Sequence, residues 1–140
     1  MPQLKSKLFI SLALIGVLPA LSIPLSAHHG STSYKTDRVV VLEHVTVTKF
    51  VWANPHTMLL FDAKDDKGEI AHWAGEAGSP AAVRQFGWNK NSVLPGDVVT
   101  VHLYLSKFEN NVGRLEKIVL ADGTTLNDSP RGDRGDASRY

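Results

Sequence analysis

Five stretches of β-branched and aromatic residues, each closed by a turn signal, with a single Ser-Pro helix start among them, restrict this chain to a small β fold. The first runs from Val39-Val40-Val41-Leu42 into Val45-Thr46-Val47-Thr48-Lys49-Phe50-Val51-Trp52, with only partial alternation. Residues 57–63 form a second strand, and the polar turn Asp65-Asp66-Lys67-Gly68 leads to a third over 69–76, so these two read as a hairpin. Ser79 then caps a helix with Pro80 at its first position, and the helix runs to Phe86 with Gly87 as its stop. Leu94-Pro95-Gly96-Asp97 turns into a fourth strand over 98–105. The loop Glu109-Asn110-Asn111-Val112-Gly113 precedes a fifth over 114–120, which Asp122-Gly123 closes. The order β-β-β-α-β-β predicts an all-β domain with one helix, a small five-stranded OB-like barrel over residues 39–123. Such a barrel does not by itself specify a function.

The N-terminus reads as an export signal. Lys5 and Lys7 give a basic start, residues 8–21 are apolar apart from Ser11, Gly16 and Pro19, Pro24 ends any helix, and Ala27 is a small residue at the cleavage position. The apolar run is shorter than the ~20 residues that span a bilayer, so cleavage rather than anchoring is expected, with no stable membrane span afterwards. The resulting division is 1–27 signal peptide, 28–38 N-terminal segment, 39–123 barrel and 124–140 disordered tail, with a periplasmic or secreted destination. The chain has no cysteine, so no disulfide can staple the domain and stability must come from an ordinary core. Removing residues 1–27 takes two of the 15 basic side chains and none of the 14 acidic ones, for a net charge of −1 with histidines neutral. No basic stripe points to nucleic acid. The tail, which ends in Arg131-Gly132-Asp133-Arg134-Gly135-Asp136-Ala137-Ser138-Arg139-Tyr140, has almost nothing apolar to bury.

Cleavage after Ala27 exposes His28-His29-Gly30, placing a free amine and two imidazoles together. Cleavage one residue earlier leaves Ala27-His28-His29, in which the third-position histidine can wrap copper(II) with backbone nitrogens. In the middle of the chain stands Trp52-Ala53-Asn54-Pro55-His56. Proline fixes its own φ and biases Asn54 toward an extended conformation, giving a stiff connection that projects His56 at the start of strand two.

These features together resemble a domain-of-unknown-function family of small exported bacterial proteins, recognised by a histidine pair after the signal and a Trp-x-Asn-Pro-His motif. The matching positions are His28-His29, Trp52-Ala53-Asn54-Pro55-His56, Trp73, Glu76, Gly78-Ser79-Pro80, Gly87-Trp88, Pro95-Gly96-Asp97 and Val99-Thr100-Val101, within residues 28–123. The resemblance implies an exported small β-domain and no particular activity. It also leads one to expect a glycine near the middle of strand one, where His44-Val45 stand instead.

Two function classes follow. In the first, the amine and Nδ1 of His28 chelate copper, which favours nitrogen-rich tetragonal sites, and His56 completes the set, with His29, His72 and Glu76 in reserve. In the second, Trp52, Trp73 and Trp88 with Asn54, His56 and Glu76 form an aromatic ligand-binding face, or a strand edge docks a larger periplasmic protein. An enzyme is the weakest option: no Ser-His-Asp order, paired carboxylates or cysteine nucleophile is present. A His56–Glu76 pair could move a proton if the two meet. The expectation is therefore a non-enzymatic, exported ligand-binding barrel with copper as its candidate cofactor.

Overall fold

A computed structural model describes residues 31–129. The export signal, His28, His29 and the tail beyond Ser129 lie outside them. A 3-10 turn at Ser31–Ser33 leads to six strands and one short helix: β1 Val40–Val51, β2 Met58–Lys64, β3 Ile70–Glu76, α1 Pro80–Val83 extended by a 3-10 turn over Arg84–Phe86, β4 Val98–Leu105, β5 Val112–Val119 and β6 Thr125–Asn127. Antiparallel pairing joins β1 to β2 and β4, β2 to β3, and β4 to β5. A parallel pairing of β3 with β5 closes the ring. The barrel therefore closes in the order β1-β2-β3-β5-β4-β1, with the helix between β3 and β4, as the element order predicts for an OB-like fold.

The partial alternation of β1 has a structural cause. Its inward residues are Val40, Leu42, Val45, Val47 and Phe50, followed by Trp52 just past its end, and they step by two except across two bulges, Leu42/Val45 and Val47/Lys49. Each extra residue bends the strand, so one continuous β1 can pair with β4 on one side and β2 on the other. His44, inside the first bulge, has φ 54, the left-handed conformation in which glycine is at ease. The glycine expected there reflects a real backbone demand that this chain meets with histidine.

The core is one cluster that includes Val45, Val47, Leu59, Phe61, Leu103, Leu115 and Ile118, with Trp88 and Val83 covering one end. Helix α1 lasts a single turn. Ser79 accepts a hydrogen bond from the Ala82 amide as N-cap, and Gly87 at φ 89 ends the following 3-10 turn. Where β3 meets β5, Gly75 faces Gly113. A Cβ on Gly113 would lie 2.6 Å from Leu103 Cδ1 and 2.7 Å from the Tyr104 carbonyl oxygen, so the close approach of β4 and β5 there requires glycine.

One boundary differs from expectation. The domain does not end at residue 123: β6 pairs with β5 at Lys117–Val119, and Leu126 and Asp128 are both buried. The segment reads as polar because Leu126 is its one large apolar side chain. It is ordered instead by backbone pairing and by the carboxylate of Asp128.

Candidate functional site

His56 and Glu76 meet. His56 ends the β1–β2 connection, whose Asn54–Pro55 peptide is cis, and sits just ahead of β2. The pairing of β2 with β3 continues past both strands, with the Thr57 amide donating to the Gly78 carbonyl and the Ala77 amide to the Thr57 carbonyl. This brings His56 beside the end of β3, on the outward face shared by Met58 and its partner Glu76. His56 Nδ1 lies 3.0 Å from Glu76 Oε1 and 3.3 Å from the Ala77 carbonyl oxygen. Both neighbours are acceptors, so the hydrogen-bond network assigns the proton to Nδ1, and in the neutral ring the lone pair resides on Nε2. A carboxylate holding Nδ1–H is the arrangement that orients an imidazole as a metal ligand or a base through its other nitrogen.

Glu76 is the hub of a larger network. The Tyr34 hydroxyl donates to its Oε2 at 2.8 Å, and Arg114 Nη1 stands 3.6 Å from Oε1. Arg114 reaches Glu76 because the parallel β3–β5 pairing sets those two residues opposite one another. The same guanidinium donates from Nε and Nη2 to Asp128 Oδ2, at 2.8 and 2.6 Å, while Asp128 Oδ1 accepts the Gly78 amide. Next to this cluster, Tyr104 donates to the buried Glu116 at 3.2 Å. Burial, and then the hydrogen bond to Glu76, push the Tyr34 phenol up to about 12, since ionising it would set two anions together in a part-dry site.

The N-terminal segment is tied to this place as well. Tyr34 bridges Ser106 beyond β4, Lys35 N donates to the Leu105 carbonyl, and Lys107 holds the carbonyls of Ser33 and Thr32 through its amide and ammonium. The described chain thus begins a few residues from the His56–Glu76 pair.

Trp52 and Trp88 both pack on Phe50, whereas Trp73 packs elsewhere, on Phe61. Trp88 is 2 % exposed and donates from Nε1 to the Asn127 carbonyl at 2.7 Å, as a core residue pinning β6. Trp52 packs at the end of β1 against Phe50, with the Arg84 guanidinium 5.7 Å from its ring centroid. Trp73 stacks on Phe61, at 6.2 Å and 9° between planes. Asn54 is exposed on the loop. His72, on the same outward face of β3 as Glu76, pairs instead with Asp62, 2.6 Å from Nδ1 to Oδ1. His28 and His29 lie outside the described residues. Among the described residues, no group of three His, Cys, Asp or Glu side chains could hold a metal ion by itself, and no helix is long and apolar enough to cross a membrane.

Tyr34, Arg114 and Asp128 escape a reading of the sequence. Nothing in local spacing links residue 76 to residue 114; only the parallel closure of the barrel does. The run of polar residues around Asp128 likewise hides a buried carboxylate.

Comparison with curated proteins yields no match, and neither does comparison with solved structures. The profile of the family of unknown function DUF6152 matches residues 17–115, most of the chain and all of the barrel up to the middle of β5, and the protein belongs to that family.

Proposed function

We propose that this protein is an exported ligand-binding barrel, periplasmic or secreted, whose ligand is copper(II) held between its processed N-terminus and His56. The observation that carries the reading is the 3.0 Å contact of His56 Nδ1 with Glu76, a carboxylate itself fixed by Tyr34 and Arg114. It sets the imidazole in the tautomer whose Nε2 bears the lone pair. The amine and Nδ1 of a terminal His28 would supply the chelate, and His56 the third nitrogen, a donor set suited to tetragonal copper. Reach supports the combination. Tyr34 shares the Glu76 carboxylate with His56, and the six residues from Tyr34 back to His28 can span up to ~20 Å.

The test is made on protein taken from the periplasm after expression with its own leader. Intact mass gives the terminal residue, and copper(II) is titrated against wild type, His56→Ala and Glu76→Gln. The reading requires a histidine terminus, an affinity that falls in His56→Ala, and a changed copper spectrum in Glu76→Gln. An alanine terminus, or affinity indifferent to His56, would reduce copper binding to a property of the leader-processed end. The non-metal accessory module would then be the surviving class.

A further inference from the structure

The outward face of the β2–β3 hairpin carries a second histidine–carboxylate pair, with surroundings quite unlike the first. Asp62 and His72 are direct cross-strand partners, and one row further along Leu60 opposes Ala74. Together with Thr48 and the β4–β5 loop at Asn110-Asn111, they enclose an open cleft of about 520 Å³. The loop wall is fixed in place, because the Asn111 carbonyl, at a residue with φ 55, accepts the Ala74 amide at 3.0 Å. His72 lies four residues from Glu76 along β3, which at ~3.3 Å per residue separates the two pairs by roughly 13 Å. The cleft is therefore a separate place on the surface.

Its chemistry is one-sided. The lining holds one carboxylate, Asp62, and no lysine or arginine. His72 Nδ1 is engaged by Asp62 Oδ1, which assigns its proton there and leaves the neutral ring an acceptor at Nε2, on a side chain 83 % exposed. Thr48 and Asn110 add groups that can accept as well as donate, whereas Leu60, Ala74 and Val112 give an apolar floor. A site with one carboxylate, further acceptors and an apolar floor favours a ligand that donates hydrogen bonds, carries positive charge and has an apolar body, although Lys49 stands across from Leu60 at its β1 side.

We infer that this cleft binds small organic amines: a protonated amine on Asp62 and His72, with its apolar portion against Leu60, Ala74 and Val112. The inference does not depend on the copper reading. The test uses the purified full chain and three probes of one shape: phenethylamine, 2-phenylethanol and phenylacetate. Backbone amide shifts of Thr48, Ala74, Asn110 and Asn111 are followed by NMR. Phenethylamine should give saturable shifts at these four positions in the millimolar range, the alcohol should bind about fivefold more weakly, the scale of one part-exposed ion pair, and the carboxylate should not bind there. Asp62→Asn should bring the amine down to the level of the alcohol and leave the alcohol unchanged. Equal binding of amine and alcohol, shifts that map elsewhere, absence of saturation, or an amine affinity indifferent to Asp62→Asn would each overturn the assignment.

Discussion

Replacing Asp128 with alanine should unfold this domain far more readily than a substitution in an apparent tail has any right to. The carboxylate is buried, with its side chain 5 % exposed. Its Oδ1 takes the Gly78 amide at the approach to the helix, and its Oδ2 takes two N–H groups of Arg114. Alanine leaves the part-buried Gly78 donor without its acceptor, at about 1–3 kcal/mol. Arg114 also loses two bonds, but its side chain is 31 % exposed and keeps Glu76 at 3.6 Å, so screening by water limits that part to about 1 kcal/mol. The total is about 2–4 kcal/mol, a fall of roughly 10–20 °C in melting temperature for a domain of this size. Asp128→Asn separates the two parts. Its amide oxygen can keep the Gly78 donor while its NH₂ group cannot accept from Arg114, so it should cost roughly half as much. Thermal and urea unfolding followed by tryptophan fluorescence give both values. A loss below about 0.5 kcal/mol in Asp128→Ala would refute the claim that residues beyond 123 are part of the folded unit.

Three further outcomes follow from the geometry. The Tyr34 phenol is raised from 10.0 to about 12 in the fold, so its contribution is complete below pH 10 and disappears as pH rises from 10 to 12, because the unfolded chain ionises first. Stability measured across that interval should fall with pH, and Tyr34→Phe should flatten the slope. His44 at φ 54 bears a cost that glycine would not, so His44→Gly should raise stability by up to about 1 kcal/mol and His44→Val should lower it, as read by urea midpoints. Gly113→Ala pushes a methyl against the Tyr104 carbonyl at 2.7 Å and should cost about 1–3 kcal/mol, whereas an unchanged melting temperature would mean that β4 and β5 part easily.

The barrel was legible in the chain because strand signals are local. Period-two patterning and the turns around Gly68 and Gly96 place β2, β3 and β4 within a residue of their observed limits, and the Ser79-Pro80 start marks α1 correctly. The fifth strand begins two residues earlier than residue 114, because Val112-Gly113 reads as loop until β3 is known to lie beside it. His56 and Glu76 were legible as candidates and as a conditional pair, but their meeting was not, since it depends on the β2–β3 register continuing past both strand ends. Tyr34, Arg114 and Asp128 were not legible at all. Tyr34 acts at a distance of 42 residues from Glu76, and Arg114 acts across the parallel seam. The aromatic-face expectation rested on composition, which cannot tell Trp88 in the core from Trp52 and Trp73 packed at its edges.

The seam between β3 and β5 has a mechanical meaning. Among the described residues it is the only parallel ladder, and it runs no further than Ala74, Gly75 and Glu76 opposite Val112, Gly113 and Arg114. A cylinder closed along so short a join opens there before it opens anywhere else, and amide exchange should find its lowest barrier to local opening at this edge. The Tyr34–Glu76–Arg114–Asp128 network lies across that join like a clasp, drawing the N-terminal segment, both strands and the residue after β6 onto a few side chains. Anything that binds His56 and steadies Glu76 therefore fastens the cylinder, and ligand occupancy becomes readable as slowed exchange at Ala74 and Gly75, neither of which supplies a side chain to the ligand.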